Sequence, residues 1–489
     1  MGEGVMDERR TPVSIGAALF LLVWMSCAWF GSWERNPNHA VRLFAAMAIV
    51  EEGSATIDRY EGLTIDKAKF GEHFYSDKAP GMTIMALPAV ALADAWTGER
   101  GADFVDFNDG RFDRYLKLRL RLATASGPAL LTALAALLIW HMALALTGSP
   151  AAAMFAGVGY GLGTPAWGWS TTLFGHAAVA GLLFIAFWAV WAGSRGERPS
   201  LFHAALAGAA LGWALVVEHS ALFAAVPVGL FALWRLRDRG ATGVRAGGVA
   251  VLAGAAALVP LVAYNLFAFG TVFRVGYGGV QGFEGMEQGL FGLTYPKTMV
   301  LWELLVGRFR GLFWVAPVLV LAPIGFWAAL KAQARREQGG RDLWWAALAA
   351  GVVPVLVNAA YVYWDGGNAT GPRHAVPALP FLALALAPAW MWMREEWLHA
   401  VAALLLALSA AVNCAIAAAE VMAPAWVPNT LHDAVLRDRF WPGHLRTIPN
   451  EFWDWTAWQG LALWAIMAAP LVIYVTVRSQ ALAREGLRT

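Results

Sequence analysis

The chain has 489 residues, of which 59% are apolar and only 14% charged, with a mean hydropathy of +0.53. Soluble domains carry about 25% charged residues, so a water-soluble enzyme of this length is excluded, as are intrinsic disorder, collagen and coiled coil. Lysine and arginine number 36 against 34 acids, a net charge of +2, which gives no global field for a polyanion and argues against nucleic acid as the main partner.

The first ten residues are polar and end in Arg9-Arg10. Val13–Ser32 is uncharged and long enough to cross a bilayer, which takes about 20 residues. It is too long for a signal-peptide core, and no small-residue cleavage site precedes Glu34-Arg35. It therefore reads as a first span. Its basic flank marks the cytoplasmic side, so residues 33–81 form a long outer loop.

Within that loop, Asn38–Glu52 carries apolar residues at three- and four-residue spacing: Val41, Phe44 and Ala48, with Leu43, Met47 and Val50. Asn36 or Asn38 can cap it and Gly53 can stop it. The pattern predicts an amphipathic helix lying in the interface plane; the alternative is a helix packed inside the protein. Asp58, Asp66-Lys67 and Asp77-Lys78 follow, the last pair just before Pro80-Gly81 at the point of re-entry. Lysine can hold a phosphate as a point charge, and aspartate can serve as a base or a metal ligand. Solvated loop pairs are the plainer reading, and the stronger one for Asp66-Lys67.

Further apolar segments lie at 82–96, 122–146, 151–169, 177–192, 201–217, 221–234, 247–269, 312–330, 343–360, 375–393, 398–419 and 458–477. The total expected is 11–13 spans. Segment 82–96 is short and contains Pro88 and Asp94, so it reads as re-entrant or as a short, tilted crossing. Counting back from Arg235 puts loop 97–121 outside, whereas counting forward from Arg9 puts it inside. Basic connectors at 235–245, 331–341 and 478–488 are expected to be cytoplasmic. That places 270–311 and 361–374 outside with the first loop. No soluble domain and no fixed-period repeat is evident, so residues 1–489 read as one all-α membrane unit. Cys27 and Cys414 sit inside apolar runs and read as packing residues.

Polar residues collect at the segment ends. His176 opens one span, and Glu218 interrupts two apolar runs. An intramembrane carboxylate is costly and often functional, though tying two helices together is an equal reading. Arg308 and Arg310 precede another span. The run from Tyr363 to His374 holds Asp365, Gly366, Gly367, Gly371 and Arg373. Its glycines let the backbone approach a ligand. Asn368-Ala-Thr370 matches a glycosylation sequon, a three-residue match read here as accidental. Lys78, Arg310 and Arg373 thus share one face beside carboxylates and aromatics. They suggest a pocket for an anionic, partly lipidic ligand rather than side chains that merely snorkel to headgroups.

The order of a first span, a long outer loop with a helix, then Tyr75-Ser-Asp77-Lys78-Ala-Pro80-Gly81 resembles the GT-C class of membrane glycosyltransferases. It is most similar to bacterial relatives of protein O-mannosyltransferases and lipid A aminoarabinose transferases. Those carry a Tyr-x-Glu-Lys-Pro-Pro run here, and the late Gly-Gly…Gly-Pro-Arg373 segment is similar as well. The resemblance implies a GT-C-like bundle in a bacterial inner membrane with its active site facing the periplasm. It implies a polyprenyl-phosphate sugar as donor, and an unidentified glycan, lipid or protein as acceptor. It also implies inverting transfer of a hexosyl or pentosyl group. Lys78 maps onto the lysine that contacts the lipid phosphate; Arg310 and Arg373 are further phosphate candidates. The relatives begin the helix with an acidic pair that includes the base, whereas this chain has Asn38, which cannot be one. The base is left among Asp66 and Glu34, ranked level, with Asp58 a further candidate. Asp77 is read as a binding residue or as the holder of a divalent metal. Lys67, His176, Glu218, Tyr363 and Asp365 complete the candidates. A carrier or flippase for a lipid-linked sugar is the alternative, and a non-enzymatic assembly subunit a third reading.

Overall fold

A computed structural model describes residues 10–31, 35–280, 282–332 and 340–486. Glu34, and with it one candidate base, lies outside the described residues. The helix α1 (Arg10–Trp29) is followed by α2 (Pro37–Glu52), α3 (Gly81–Thr97), α4 (Gly110–Ser126), α5 (Pro128–Thr147) and α6 (Pro150–Gly161). Later helices are Gly175–Gly193, Leu201–Val217, Ala221–Leu236, Gly240–Phe269, Arg341–Ala360, Glu396–Ala419 and Ala457–Gly486. Among the described residues, seven helices are long and apolar enough to cross a membrane, and five more apolar helices are shorter. On Gly240–Phe269 the apolar Val251, Leu252 and Val259 are exposed, a surface that suits lipid and not water.

The helix expected at Asn38–Glu52 forms as α2. Asn36 caps it by accepting from the Asn38 N–H at 3.2 Å, and Gly53, at φ +65°, closes it with its N–H on the Ala48 and Ile49 carbonyls. Residues 39–48 are all buried. The expected polar face is therefore covered by protein, because His39 and Arg42 find their partners inside the bundle. His39 Nδ1 accepts from the Leu173 N–H at 2.9 Å. After α2 the chain makes a small antiparallel hairpin, β1 (Ala68–Phe70) with β2 (His73–Tyr75), turning at Gly71, φ +62°. Its three-residue strands are too short to leave a pattern in the sequence.

Segment 82–96 does not cross. At its start Gly81 packs against the Val216-Val217 backbone beside Glu218. At its end Asp94 Oδ1 accepts from Arg119 Nε of α4 at 2.8 Å. The helix α4 itself stands beside the outer end of α1: Arg35 pairs with Asp113 at 3.2 Å, Arg121 pairs with Glu451 at 2.6 Å, and the Arg121 guanidinium lies against Gly31. Both ends of α3 therefore lie on the side of the first loop, and residues 97–121 lie there too. With α3 left out and the short α6 counted, twelve apolar segments alternate between two ends of the bundle. The opposite end is tied by Arg235 to Asp342 at 2.7 Å and by Arg239 Nη2 to the Ser194 carbonyl at 3.0 Å. One contiguous apolar core joins α1, α5, α6, Gly175–Gly193 and the later helices.

Candidate active site

Five separate stretches of chain converge on a cavity of about 360 Å³ at the end of the bundle that carries the first loop. Its wall includes Asn38 and Arg42 from α2, and Asp66, Asp77 and Lys78 from the first loop. His176 and Glu218 come from helix ends, Tyr277 and Met286 from the 270–311 loop, and Tyr361, Tyr363, Asp365, Arg373 and His374 from the 361–374 loop. Of the residues singled out from the sequence, Asp66, Asp77, Lys78, His176, Glu218, Tyr363, Asp365 and Arg373 are brought together here.

Lys78 is the hub of the acidic side. Its Nζ lies 2.5 Å from Asp77 Oδ2 and 3.1 Å from Asp66 Oδ2. Asp66 is fixed because its N–H donates to Thr64 Oγ1 at 3.1 Å, and Thr64 Oγ1 donates to the Pro37 carbonyl at 3.3 Å, which ties the loop to the start of α2. Asp66 Oδ2 faces Lys78, while its Oδ1 makes no hydrogen bond among the described residues and is not among their buried unpartnered atoms. Asp77 Oδ1, by contrast, is buried without a partner among the described residues. Burial raises the Asp77 carboxyl above its ordinary value, against the opposing pull of Lys78. Gly276 packs on this segment so closely that a Cβ there would lie 2.7 Å from the Ser76 carbonyl oxygen. Burial also pushes the Tyr361 phenol up to about 12 and the Tyr277 phenol well upward, so both stay neutral and can donate.

Arg373 is different from Lys78. Its guanidinium lies over the Phe174 ring at 4.7 Å, it makes no hydrogen bond or ion pair among the described residues, and its Nε is buried without a partner. A cation so placed, on a cavity wall, has donors left over for a group in the cavity. Glu218 is the partner of Arg42: Nη2 and Oε1 are 2.6 Å apart, and the arginine is 2% exposed. The reading of Glu218 as a tie between helices is thus what the geometry gives, though it ties α2 to a helix break and does so at the cavity wall. Arg42 was legible only as a polar position in an apolar helix; Asn38 four residues earlier, on the same face, was the signal for its second contact.

Three candidates sit elsewhere. Arg310 is fully buried behind the glycine loop, donating from Nε to the Asp365 carbonyl and from Nη2 to the Gly367 carbonyl, each at 2.6 Å. It shapes the loop and does not line the cavity, because two backbone carbonyls already use its fork. Asp58 lies on the outer side of the hairpin, accepting from the Phe74 N–H at 2.6 Å and facing His73 at 2.7 Å. Lys67 turns to Glu61. Glu34 lies outside the described residues.

The residues present do not fit a divalent metal at Asp77. The ammonium of Lys78 already fills the space between the two carboxylates, and the described residues bring no three His, Cys, Asp or Glu side chains together as a ligand group.

A second cavity, of about 370 Å³, adjoins the first and shares with it His176, Glu218, Tyr277, Met286, Tyr361 and His374. Leu222, Phe223, Leu290, Phe291, Val357 and Pro377 give it apolar walls. The architecture is a polytopic bundle with a polar pocket at one end beside an apolar one.

No protein-family model and no curated protein matches this chain. Among solved structures it is similar to the archaeal oligosaccharyltransferase AglB from Archaeoglobus fulgidus, in complex with an inhibitory peptide and a dolichol-phosphate. Identity is 13%, over 83% of this chain and 55% of AglB, with a TM-score of 0.50. It is also similar to ArnT from Cupriavidus metallidurans bound to undecaprenyl phosphate, with 14% identity over 96% of this chain and 72% of ArnT and a TM-score of 0.46. Both are GT-C glycosyltransferases. At such identity the likeness is one of fold, and this chain spans little more than half the length of AglB.

Proposed function

We propose that the protein is a membrane glycosyltransferase that moves a hexosyl or pentosyl group from a polyprenyl-phosphate donor to an acceptor on the periplasmic face of a bacterial inner membrane. The observation that carries this reading is the unpartnered Arg373 at the polar cavity, next to an apolar cavity. The pair suits a ligand with an anionic head and a hydrocarbon tail. The dolichol-phosphate held by AglB, which shares the fold, is a ligand of that kind.

In this mechanism the lipid phosphate lies near Arg373 and Lys78, and the isoprenoid follows the apolar cavity. The acceptor hydroxyl attacks the anomeric carbon from the face opposite the phosphate. A carboxylate takes the hydroxyl proton, the bond from the anomeric carbon to the phosphate oxygen breaks, and the two cations stabilise the departing phosphate. Inversion follows from the single displacement. Asp66 is the base of choice among the described residues, because its Oδ1 is free while Asp77 is turned into the protein and holds Lys78.

Purified protein in liposomes, given undecaprenyl phosphate carrying a radiolabelled sugar together with bacterial envelope extract, tests this. Label should leave the lipid fraction and enter an acceptor fraction, and Asp66→Asn should stop it without weakening retention of the lipid. Label that crosses the bilayer while still on its lipid would overturn the transferase reading in favour of a carrier.

A further inference from the structure

We infer that Asn38 presents its side-chain N–H groups to the polar cavity, as donors to an uncharged oxygen of the sugar on the lipid donor, and that Arg42 and Glu218 are the positioning residues that fix it so. The inference rests on the glycosyltransferase reading above and adds a sugar-recognition residue to it.

Asn38 stands on the first turn of α2 and lines the cavity. Arg42, one turn later, donates from Nη1 to the Asn38 carbonyl at 2.9 Å and to Asn38 Oδ1. A guanidinium has only donors. The amide oxygen must therefore face Arg42; the opposite placement would set N–H against N–H. Nδ2 is left on the other side. It makes no hydrogen bond among the described residues and is not among the buried unpartnered atoms, so it opens on the cavity.

The arrangement is held from behind. Glu218 Oε1 accepts from Arg42 Nη2 at 2.6 Å. Glu218 itself has no room to swing, because Gly175 packs against it: a Cβ at that position would lie 2.4 Å from its Cγ. Thr83 Oγ1 donates to the Arg42 carbonyl at 3.1 Å and fixes the turn of α2 that carries the arginine. The order of dependence thus runs from Glu218 to Arg42 to Asn38.

The chemistry of this corner selects its ligand. Arg42 and Glu218 neutralise each other, so no net positive charge is offered to an anion here. The cations left for a phosphate are Lys78 and Arg373. A neutral N–H donor beside a neutralised pair suits a hydroxyl, ring or acyl oxygen, which are the groups of a sugar. A carboxylate at position 38 would present only acceptors to the same oxygen and would compete with Glu218 for Arg42.

Affinities for three lipids test the inference: undecaprenyl phosphate alone, and the same lipid carrying a hexose or a pentose. Wild-type protein should bind one of the sugar lipids more tightly than the bare phosphate. Asn38→Ala should weaken that lipid about five- to tenfold, the size of one net hydrogen bond, and leave the bare phosphate unchanged. Asn38→Asp should not restore the loss. Arg42→Lys cannot reach both partners, so it should give the same selective loss and add little to it in the Asn38→Ala background. Equal weakening of the bare and sugar-bearing lipids by Asn38→Ala or by Arg42→Lys, or no change in Asn38→Ala, would overturn the inference while leaving the transferase reading in place. Failure of the wild type to bind any of the three lipids would overturn both.

Discussion

Replacing Lys78 separates the ion pairing that the structure shows from the phosphate contact proposed for the same ammonium group. With Nζ 2.5 Å from Asp77 and 3.1 Å from Asp66, and all three side chains at most 11% exposed, Lys78 is the ion partner of both acids. At an effective dielectric of about 20, the two contacts are worth roughly 5–7 kcal/mol each of gross attraction. Desolvation offsets much of that, and breaking a buried pair by removing one member costs about 3–5 kcal/mol net. Lys78→Met should therefore lower the thermal midpoint clearly, since two carboxylates then share a site with no cation between them. If Lys78 also meets the donor phosphate, turnover should fall by about 10²-fold or more as well. The second variant is Lys78→Met with Asp77→Asn. Removing one acid removes the like-charge repulsion, so most of the midpoint should return while turnover stays low. The assay is release of sugar from labelled undecaprenyl-phosphate donor at matched protein level, with the midpoint measured on the same preparations. Wild-type turnover in Lys78→Met, or recovery of turnover together with stability in the double variant, would refute the phosphate contact and leave Lys78 as an internal counter-ion.

Arg310→Ala should behave in the opposite sense. It removes a fully buried side chain and two part-buried hydrogen bonds to the glycine loop, each worth about 1 kcal/mol net, so the midpoint and turnover should fall together; loss of turnover at an unchanged midpoint would mean that Arg310 acts on the ligand after all. Asp77 makes stability depend on pH. Its carboxyl is raised in the folded chain by burial, so folding favours its protonated form, a contribution that is full below the ordinary carboxylate range and is lost as pH rises through the raised value. The midpoint of the wild type relative to Asp77→Asn should therefore climb as pH falls from neutral, and a flat or falling difference would refute the assignment. Orientation is tested with an impermeant thiol reagent on intact cells. Glu72→Cys, on the exposed hairpin turn, should be labelled from outside; Asp238→Cys, exposed at the end of the bundle tied by Arg235 and Asp342, should not. The reverse pattern would turn the whole protein over in the membrane.

The helices were legible wherever hydrophobic runs or caps announce them. Asn36 and Gly53 delimit α2 to within a residue or two, and the basic connector at Arg235 matches the end of the bundle opposite the cavity. The side of loop 97–121 was not legible, because hydropathy is a local property and α3 is apolar without crossing. What decides it are contacts distant in sequence, Arg121 with Glu451 and Arg35 with Asp113. At the site, residue type and position beside a span were enough to single out Asp77, Lys78 and Arg373, which line the cavity, whereas Asp66, which also lines it, read more readily as part of a solvated loop pair. The same rule misplaced Arg310: a basic residue before a span looks alike whether its fork meets a ligand or two carbonyls of its own chain. Only tertiary hydrogen bonds distinguish the two.

That distinction also bears on what kind of protein this is. A carrier must offer its ligand polar partners from both ends of the bundle. Here the described charges on the polar cavity, Asp66, Asp77, Lys78, Arg42, Glu218, Asp365 and Arg373, are all at one end, and Glu303, beside a further cavity of about 500 Å³, belongs to the 270–311 loop at that same end. At the other end Arg235 is spent on Asp342, and Arg239 on the carbonyls of Ser194, Gly196 and Glu197. The cavity near Arg235 has only about 40 Å³, too little for a sugar. Glu218, the one acid between apolar runs, is matched by Arg42 and faces the same end. The described structure thus holds one polar chamber with an apolar annex, and its only cation without an internal partner on that chamber's wall is Arg373. A site of that form suits the proposed transfer, in which a lipid phosphate and a second substrate would meet on the same side of the bundle.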